Sequence, residues 1–241
     1  MEREIVIREN IPGYMDELRG WLQEIESEPL EGMAEFFRDR IGDYEDHMRI
    51  WARAYARLAE LVPETARTVL DMGCGTGLEL DALYARRTDI SVTGIDLCPE
   101  MLARLREKHP GVKTVCGDYF QAELGAEVYD CAVSVESLHH FTPEKKQGLY
   151  ENIHRALKPG GVFFLVDYLA CCEEEERLLM DFCREKRAAQ KVPEDVFIHF
   201  DTPLTVAHET ELLRKAGFSA VELIDCVEGA STLRCEKGFT F

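Results

Sequence analysis

Three glycines alternate with other residues directly after a short apolar run and an acid. They are Gly73, Gly75 and Gly77, and the acid is Asp71. Glycine allows backbone conformations that other residues avoid, and it lets a ligand approach the chain closely. A helix that begins after Gly77 would add free N–H groups and the positive end of its dipole. The stretch therefore predicts a turn that binds a ligand.

A second acid stands at an informative distance from this turn. Asp96 follows Gly77 by nineteen residues and ends another apolar run. A carboxylate at this offset can bind the hydroxyls of a ribose whose neighbouring group lies on the glycine turn. Dinucleotide-binding enzymes share the pairing but read G-x-G-x-x-G, whereas the pattern here is G-x-G-x-G. The spacing therefore disfavours a nicotinamide dehydrogenase.

Candidate acid–base residues follow the fourth predicted strand. His139 and His140 are adjacent, and Glu136 precedes them by a few positions. Imidazole titrates near neutral pH, so either histidine is a candidate general base, and Glu136 is a comparable one. The alternative is that one histidine only orders its loop.

The elements that would position these residues alternate between strand and helix patterns from Arg67 onward. Strands are predicted at 68–70, 90–95, 112–116, 129–135, 162–166, 220–226 and 232–239. Helical patterns separate most of the first five, which predicts an α/β fold with a doubly wound, mostly parallel sheet. Ligands of such sheets bind at the carboxyl ends of the strands, where the turn after Asp71 should lie.

The chain ahead of the first strand has helical apolar spacing and many aromatic residues. We expect residues 1–62 to form a helical cap on a main domain of residues 63–241. The stretch 170–205 departs from the strand–helix rhythm, and we interpret it as an insertion over the active face.

The cap contains three candidates for the substrate pocket or its lid. Tyr44, His47 and Trp51 lie at near-helical spacing on a helix predicted to begin after Asp43. For Tyr44 and His47, a place in the pocket wall and a place outside it are equally good interpretations. For Trp51, core packing is the better interpretation. His199 and Phe200 are weaker candidates for the outer wall.

The overall composition disfavours several classes of protein. A net charge of −18 over 241 residues disfavours nucleic-acid binding. No run of about eighteen apolar residues occurs, and Met1–Asn10 alternates charged with apolar residues, so we expect neither a membrane span nor a signal peptide. The nine cysteines form no C-x-x-C pair, which predicts free thiols in a reducing cytoplasm.

A metal site is not expected from the sequence. Cys171 and Cys172 are the only adjacent cysteines, and Cys183 could join them. Such thiols could bind a metal or a metalloid, but their spacing matches no known metal motif.

Five stretches, in order, resemble the motifs of the class I S-adenosylmethionine-dependent methyltransferases, of the type that acts on small molecules. Residues 69–77, V-L-D-M-G-C-G-T-G, resemble the first motif, and 94–102, G-I-D-L-C-P-E-M-L, the second. Residues 116–120, C-G-D-Y-F, resemble the third motif, and 129–141 and 157–167 the fourth and fifth. The resemblance implies a Rossmann-like sheet of seven strands with the last strand antiparallel.

The resemblance also implies contacts to the methionine part of the cofactor. Gly73, Gly75 and Gly77 would line it, and Asp71 would face its ammonium group, directly or through water. Ser134 would give a backbone contact near the sulfonium.

The adenosine part would be bound further along the chain. By the same resemblance, Asp96 would hold the ribose hydroxyls and Leu97 would lie against the adenine. Asp118 would accept from the adenine amino group, Tyr119 would meet the base, and Tyr44 would cover the cofactor. The alternatives are core packing for Leu97 and Tyr119 and turn capping for Asp118.

We therefore predict a metal-independent enzyme that transfers a methyl group from S-adenosylmethionine to O, N or C of a small molecule, leaving S-adenosylhomocysteine. Methyl transfer is an in-line displacement, so alignment matters most and a base is needed only if the acceptor must lose a proton. A monomer or a homodimer is expected. The alternatives are a non-catalytic cofactor-binding protein of the same fold and, less favoured, a metalloid methyltransferase.

Overall fold

The computed structural model describes residues 5–239, and a single seven-stranded sheet organises them. The strands are β1 (Thr68–Met72), β2 (Ser91–Asp96), β3 (Lys113–Cys116), β4 (Tyr129–Val135), β5 (Leu157–Tyr168), β6 (Ala220–Val227) and β7 (Ala230–Glu236). Their spatial order is β3-β2-β1-β4-β5-β7-β6. The strand order reverses between β1 and β4, which is the place where sheets of this class bind ligands.

The direction of the strands confirms the predicted fold class. Strands β1 to β5 pair in parallel, whereas β7 is antiparallel to both β5 and β6. Strand β5 begins earlier than predicted, because Leu157 already pairs with Tyr129 across an irregularity in the register.

Helices cover both faces of the sheet. They are α1 (Ile11–Glu24), α2 (Met33–Arg40), α3 (Tyr44–His47), α4 (Ala52–Leu61), α5 (Leu78–Arg86), α6 (Pro99–Lys108), α7 (Pro143–Ala156), α8 (Glu173–Gln190) and α9 (Val206–Lys215). Alternate residues of β4 enter different cores: Ala132 packs on one face, and Cys131 and Val133 on the other. Strands buried on both faces explain the continuous apolar runs of the sequence.

The prediction of a single long helix after Asp43 is wrong. Helix α3 is followed by a 3-10 turn over Met48–Trp51 and only then by α4. Asp43 makes no side-chain capping bond. A 3-10 turn also places residues three apart on one side, so the apolar spacing of Met48 and Trp51 fits both conformations.

The segment after β5 returns to the carboxyl end of the sheet and meets the beginning of the chain. The N–H of His199 donates to the carbonyl of Glu31, and the N–H of Thr202 to the carbonyl of His139 (2.7 Å). Residues 197–202 therefore lie between the cap and the end of β4. Of the helices within residues 5–239, none combines the length and apolar character needed to cross a membrane. Met1–Glu4, part of the alternating stretch noted above, lie outside the described residues.

Candidate active site

The glycine turn after β1 is a close-fitting cradle. Gly73 and Gly75 have left-handed φ angles of 77° and 46°. A Cβ placed on Gly73 would lie 2.2 Å from Oγ of Ser137, and one on Gly75 would lie 3.3 Å from the hydroxyl of Tyr44. Conformation and space both demand glycine here.

A cavity of about 670 Å³, including its open mouth, lies beside this turn at the carboxyl ends of β1 to β4. Six of the nine predicted cofactor residues line it, namely Gly73, Gly75, Asp96, Leu97, Asp118 and Tyr119. The other three, Asp71, Gly77 and Ser134, do not. We call this space the cofactor cavity.

Asp96 is held rigidly at the wall of the cofactor cavity. Its Oδ2 accepts from the N–H of Gly75 at 2.9 Å, and its Oδ1 accepts from the N–H of Cys98 at 2.7 Å. Burial raises the pKa of this carboxyl group. Each carboxylate oxygen has a second lone pair, so both can accept from further donors in the cavity, as a ribose would supply.

Asp118 and Tyr119 border the same cavity on the β3 side. Asp118 caps the following turn, because Oδ1 accepts from the N–H of Phe120 and Oδ2 from the amide of Gln121, both at 2.8 Å. The hydroxyl of Tyr119 lies 3.2 Å from Oγ of Ser137. Burial raises the pKa of Tyr119, so its hydroxyl stays protonated.

Asp71 forms a buried carboxyl pair with Glu79. Both oxygens of Asp71 and Oε1 of Glu79 have no hydrogen-bond partner. Burial, followed by the neighbouring Glu79, raises the pKa of Asp71, and burial raises that of Glu79 to about 7. A cation offered to such a pair would relieve the cost of its burial, so the pair fits the ammonium group of the cofactor.

Gly77 and Ser134 have packing roles in this structure. Gly77 precedes α5 with a φ of 76°, and a Cβ there would lie 2.4 Å from Cδ1 of Leu105. The hydroxyl of Ser134 donates to the carbonyl of Met72 at 3.0 Å and thereby ties β4 to β1. Both residues support the cradle from behind.

A second and larger cavity, of about 1570 Å³ including its open mouth, adjoins the first. We call it the acceptor cavity. Its walls come from the cap, the ends of β4 and β5, and the segment that contains His199 and Asp201. Four residues line both cavities: Phe37, Tyr44, Glu136 and His140.

The two adjacent histidines have different surroundings. Nδ1 of His139 is hydrogen-bonded to Asp167, and its Nε2 lies 3.5 Å from Oδ1 of Asp201. Burial alone would lower the pKa of His139, but the carboxylates of Asp167 and Asp201 outweigh it and raise the value to about 9. Burial and the neighbouring His139 lower the pKa of His140.

Glu136 stands between the two cavities in an unusual conformation. Its φ of 46° is left-handed, and its Oε1 has no partner. Burial raises its pKa to about 8, against the opposing effect of His139. Strained backbone of this kind concentrates at functional sites.

The residues predicted for the substrate pocket or its lid lie at different places in the structure. Tyr44 lies between the cavities, whereas His47 and Trp51 line only the acceptor cavity. His199 lines the acceptor cavity and stacks on Phe36. Phe200 instead packs into the core beneath α1 and α8.

Several residues at or near the acceptor cavity were missed by sequence reasoning. Arg8, Tyr168 and Asp201 line it, Ser137 lines the cofactor cavity, and Asp167 lies behind His139. Asp167 and Tyr168 end β5, so the rule that ligands bind at the carboxyl ends of parallel strands could have found them. Arg8 and Asp201 carry no local signal, because distant segments bring them to the site.

The cysteines considered for metalloid chemistry lie elsewhere. Cys171, Cys172 and Cys183 line neither cavity, and Cys172 and Cys183 belong to the apolar cluster between α1 and α8. All nine cysteines are free thiols.

Comparison with known proteins adds to this geometry. The family model of a methyltransferase domain matches residues 69–161. A carboxy-S-adenosyl-L-methionine synthase of Geobacter metallireducens is 32% identical over 186 residues, covering 67% of this chain and 72% of the relative. An uncharacterized methyltransferase of Synechocystis is 33% identical over 110 residues, covering 46% of this chain.

The curated relatives extend well beyond the matched regions. The chain spans 51% of the length of the Synechocystis protein and 49% of that of a demethylmenaquinone methyltransferase of Chlorobaculum tepidum. An amino pentose methyltransferase from Micromonospora echinaspora, solved with S-adenosylmethionine bound, superposes with a TM-score of 0.62 at 19% identity. That match covers 80% of this chain and 96% of the other, and it shows a shared fold.

Proposed function

We propose, from the premise that the chain belongs to the class I S-adenosylmethionine-dependent methyltransferases, that it transfers a methyl group to a small molecule. S-adenosylmethionine is the cofactor and S-adenosylhomocysteine the product. The acceptor atom is O, N or C.

One observation carries this proposal: the cofactor cavity and the acceptor cavity share a wall. Phe37, Tyr44, Glu136 and His140 line both spaces. An in-line displacement needs the methyl group and the acceptor atom close together and aligned. A cofactor whose sulfonium lies near this wall would present its methyl group to the acceptor cavity.

The residues of the cofactor cavity would hold and orient the cofactor. Asp96 would bind the ribose hydroxyls, and the carboxyl pair behind Gly73 would stabilise the ammonium group. Leu97, Asp118 and Tyr119 would surround the adenine, and the cofactor would supply the activated methyl group.

The acceptor cavity suits a polar molecule of modest size. Its wall combines aromatic rings with His139, His140 and His199, and the cap and residues 197–202 enclose it. The catalytic roles assigned to Glu136, His139 and His140 stay predictions, but all three lie at the acceptor cavity.

Calorimetry tests cofactor choice, and a methyl-transfer screen tests catalysis. We expect heat of binding with S-adenosylhomocysteine and none with NADH; binding of NADH alone would contradict the proposal. Amines, phenols, carboxylates and carbon acids are then incubated with the protein and S-adenosylmethionine, and mass spectrometry searches for methylated products. Cofactor binding without product from any class would favour the non-catalytic alternative.

A second candidate is synthesis of a carboxylated cofactor, as the name of the Geobacter relative states for that protein. Arg8 lines the acceptor cavity, and its buried Nε has no partner, so it could bind the carboxylate of a donor molecule. Mass spectrometry of the nucleoside products separates the two functions, because methyl transfer leaves S-adenosylhomocysteine and the alternative leaves carboxy-S-adenosylmethionine.

A further inference from the structure

Two histidines and a carboxylate converge at the floor of the acceptor cavity. Nε2 of His139 lies 3.5 Å from Oδ1 of Asp201, and Nδ1 of His140 lies 3.1 Å from the same oxygen. One ligating atom from each of the three residues lies within 4.8 Å of the others.

The separations of the two imidazole nitrogens from Oδ1 of Asp201 match those of ligands around one ion. Nitrogen and oxygen ligands lie about 2.1 Å from tetrahedral zinc, which places neighbouring ligand atoms about 3.4 Å apart. The two measured distances, 3.5 Å and 3.1 Å, bracket that value. The donor set therefore needs little rearrangement to surround an ion.

The cluster is held in place from behind. Asp167, which is 1% exposed, accepts from the main-chain N–H of Leu138 at 2.9 Å and hydrogen-bonds to Nδ1 of His139. That bond directs Nε2 of His139 toward Asp201. A carboxylate behind the remote nitrogen of a ligating imidazole is the usual support of a metal-binding histidine.

Asp201 is positioned by the main chain. The N–H and the hydroxyl of Thr202 both donate to the carbonyl of His139, at 2.7 Å and 3.2 Å. The two halves of the cluster are thus fixed to each other although they are remote in sequence.

Unpartnered polar atoms face this cluster. Nδ1 of His140 is not aligned for a hydrogen bond with Asp201 despite their proximity, and the His140 side chain is only 4% exposed. Oε1 of Glu136 is also buried without a partner, and Glu136 forms a second close group with His139 and Asp167. Asp201, 41% exposed, leaves the cluster open on one side.

From this geometry we infer that His139, His140 and Asp201 bind one divalent transition-metal ion. Two imidazoles and one carboxylate suit zinc or ferrous iron and are poor ligands for magnesium, which prefers oxygen. Three protein ligands leave a coordination position free, and the open side of the cluster directs it into the acceptor cavity. This inference differs from the expectation from sequence that the protein is metal-independent.

Binding of the ion does not depend on the proposed function, but a role for it does. If the protein transfers methyl groups, an ion with a free position could bind an oxygen or nitrogen of the acceptor and favour its deprotonated form. The acceptor would then be a metal-chelating molecule.

Metal binding is tested without cofactor on the full chain. The protein is stripped with EDTA, and Zn²⁺, Co²⁺ and Mg²⁺ are titrated separately by calorimetry, with absorption spectra recorded for Co²⁺. We expect one equivalent of Zn²⁺ or Co²⁺, no Mg²⁺, and cobalt spectra without thiolate charge-transfer bands. The absence of those bands separates this site from the nine cysteines. A wild-type protein that binds neither Zn²⁺ nor Co²⁺ overturns the inference and leaves the proposed function untouched.

Variants locate the ion. His140→Asn and Asp201→Asn should weaken Zn²⁺ binding at least tenfold, and Asp167→Asn about ten- to a hundredfold through the orientation of His139. His208→Gln is the matched control, because His208 pairs with Glu176 at 2.7 Å outside both cavities. Unchanged Zn²⁺ affinity in both ligand variants overturns the assignment. Urea unfolding reports correct folding of each variant, and the half-exposed Asp201 provides a folded variant if the buried His140 does not.

Discussion

The cofactor cavity and the acceptor cavity touch, yet they are built differently. The cofactor cavity is made mainly of residues at the ends of consecutive strands, such as Gly73, Asp96 and Asp118. The acceptor cavity is formed by Arg8, the helices of the cap, the ends of β4 and β5, and residues near 200. A site whose parts follow one another in the chain is set by local geometry, whereas one built from remote segments depends on the contacts that join them.

The largest expected effect is at the cofactor cavity. Asp96→Ala removes the carboxylate that we propose binds the ribose hydroxyls, and the loss of charge-assisted hydrogen bonds should cost about 2–4 kcal/mol of cofactor binding. Calorimetry with S-adenosylhomocysteine measures it, with Asp89→Ala on the exposed surface as control. An unchanged affinity would remove Asp96 from the ribose site.

A substitution at Glu175 should lower the stability of the protein without changing cofactor binding. Glu175, fully buried, accepts from the hydroxyls of Tyr14 and Tyr168 and from the N–H of Cys171, and so joins α1, β5 and α8. Glu175→Ala leaves these donors unsatisfied and should lower the free energy of unfolding by about 2–3 kcal/mol.

The neighbouring residue Glu174 provides a control for this prediction. Glu174 forms only an exposed ion pair with Arg19, so Glu174→Ala should cost less than about 1 kcal/mol. Urea unfolding measures both variants. Binding of S-adenosylhomocysteine should be the same in each; a matching loss of cofactor affinity in Glu175→Ala would show that the two cavities are not independent.

The buried pair of Asp71 and Glu79 predicts a pH dependence of stability. The pKa of folded Glu79, about 7, lies above its unfolded value, so the folded protein holds a proton that the unfolded chain loses. This contribution is full below the unfolded pKa and disappears as the pH rises through 7. Between pH 5 and 7.5 it should amount to about 2 kcal/mol.

Glu79→Gln tests that dependence. The variant should lose less stability than the wild type between pH 5 and 7.5, measured by urea unfolding at each pH. Saturation with S-adenosylhomocysteine should flatten the wild-type dependence as well, because an ammonium group near Asp71 lowers the pKa values of the pair. An equal slope in wild type and variant would contradict the assignment of this dependence to Glu79.

The smallest effect is expected from the thiols. Cys171→Ser with Cys172→Ser should leave cofactor affinity and methyl-transfer rates within about twofold, because neither side chain lines a cavity. If the variants lost activity toward thiol-binding metalloids but kept it toward other acceptors, methylation of a metalloid would become the favoured function. Steady-state rates of both variants, alone and combined, decide this.

The sequence by itself determined the order and type of most elements and much of the cofactor cavity. Gly73, Gly75 and Asp96 were identifiable because a strand, a turn and a helix that follow one another fix their geometry locally. The parallel arrangement then brings the ends of β1 to β3 to one edge, so Asp118 was predictable too. The break between α3 and α4 was not, because apolar spacing does not distinguish a 3-10 turn from an α-helix.

Only the tertiary structure decided the surroundings of Gly77, Ser134 and Asp201. Gly77 packs against Leu105, and the hydroxyl of Ser134 binds the carbonyl of Met72, while their contacts to the cofactor stay predictions. Asp201 belongs to no motif. It lies near His139 because the hydroxyl of Thr202 donates to the carbonyl of His139, 63 positions earlier in the chain. Contacts between such distant segments depend on how the whole chain packs, and a local pattern of residues does not record them.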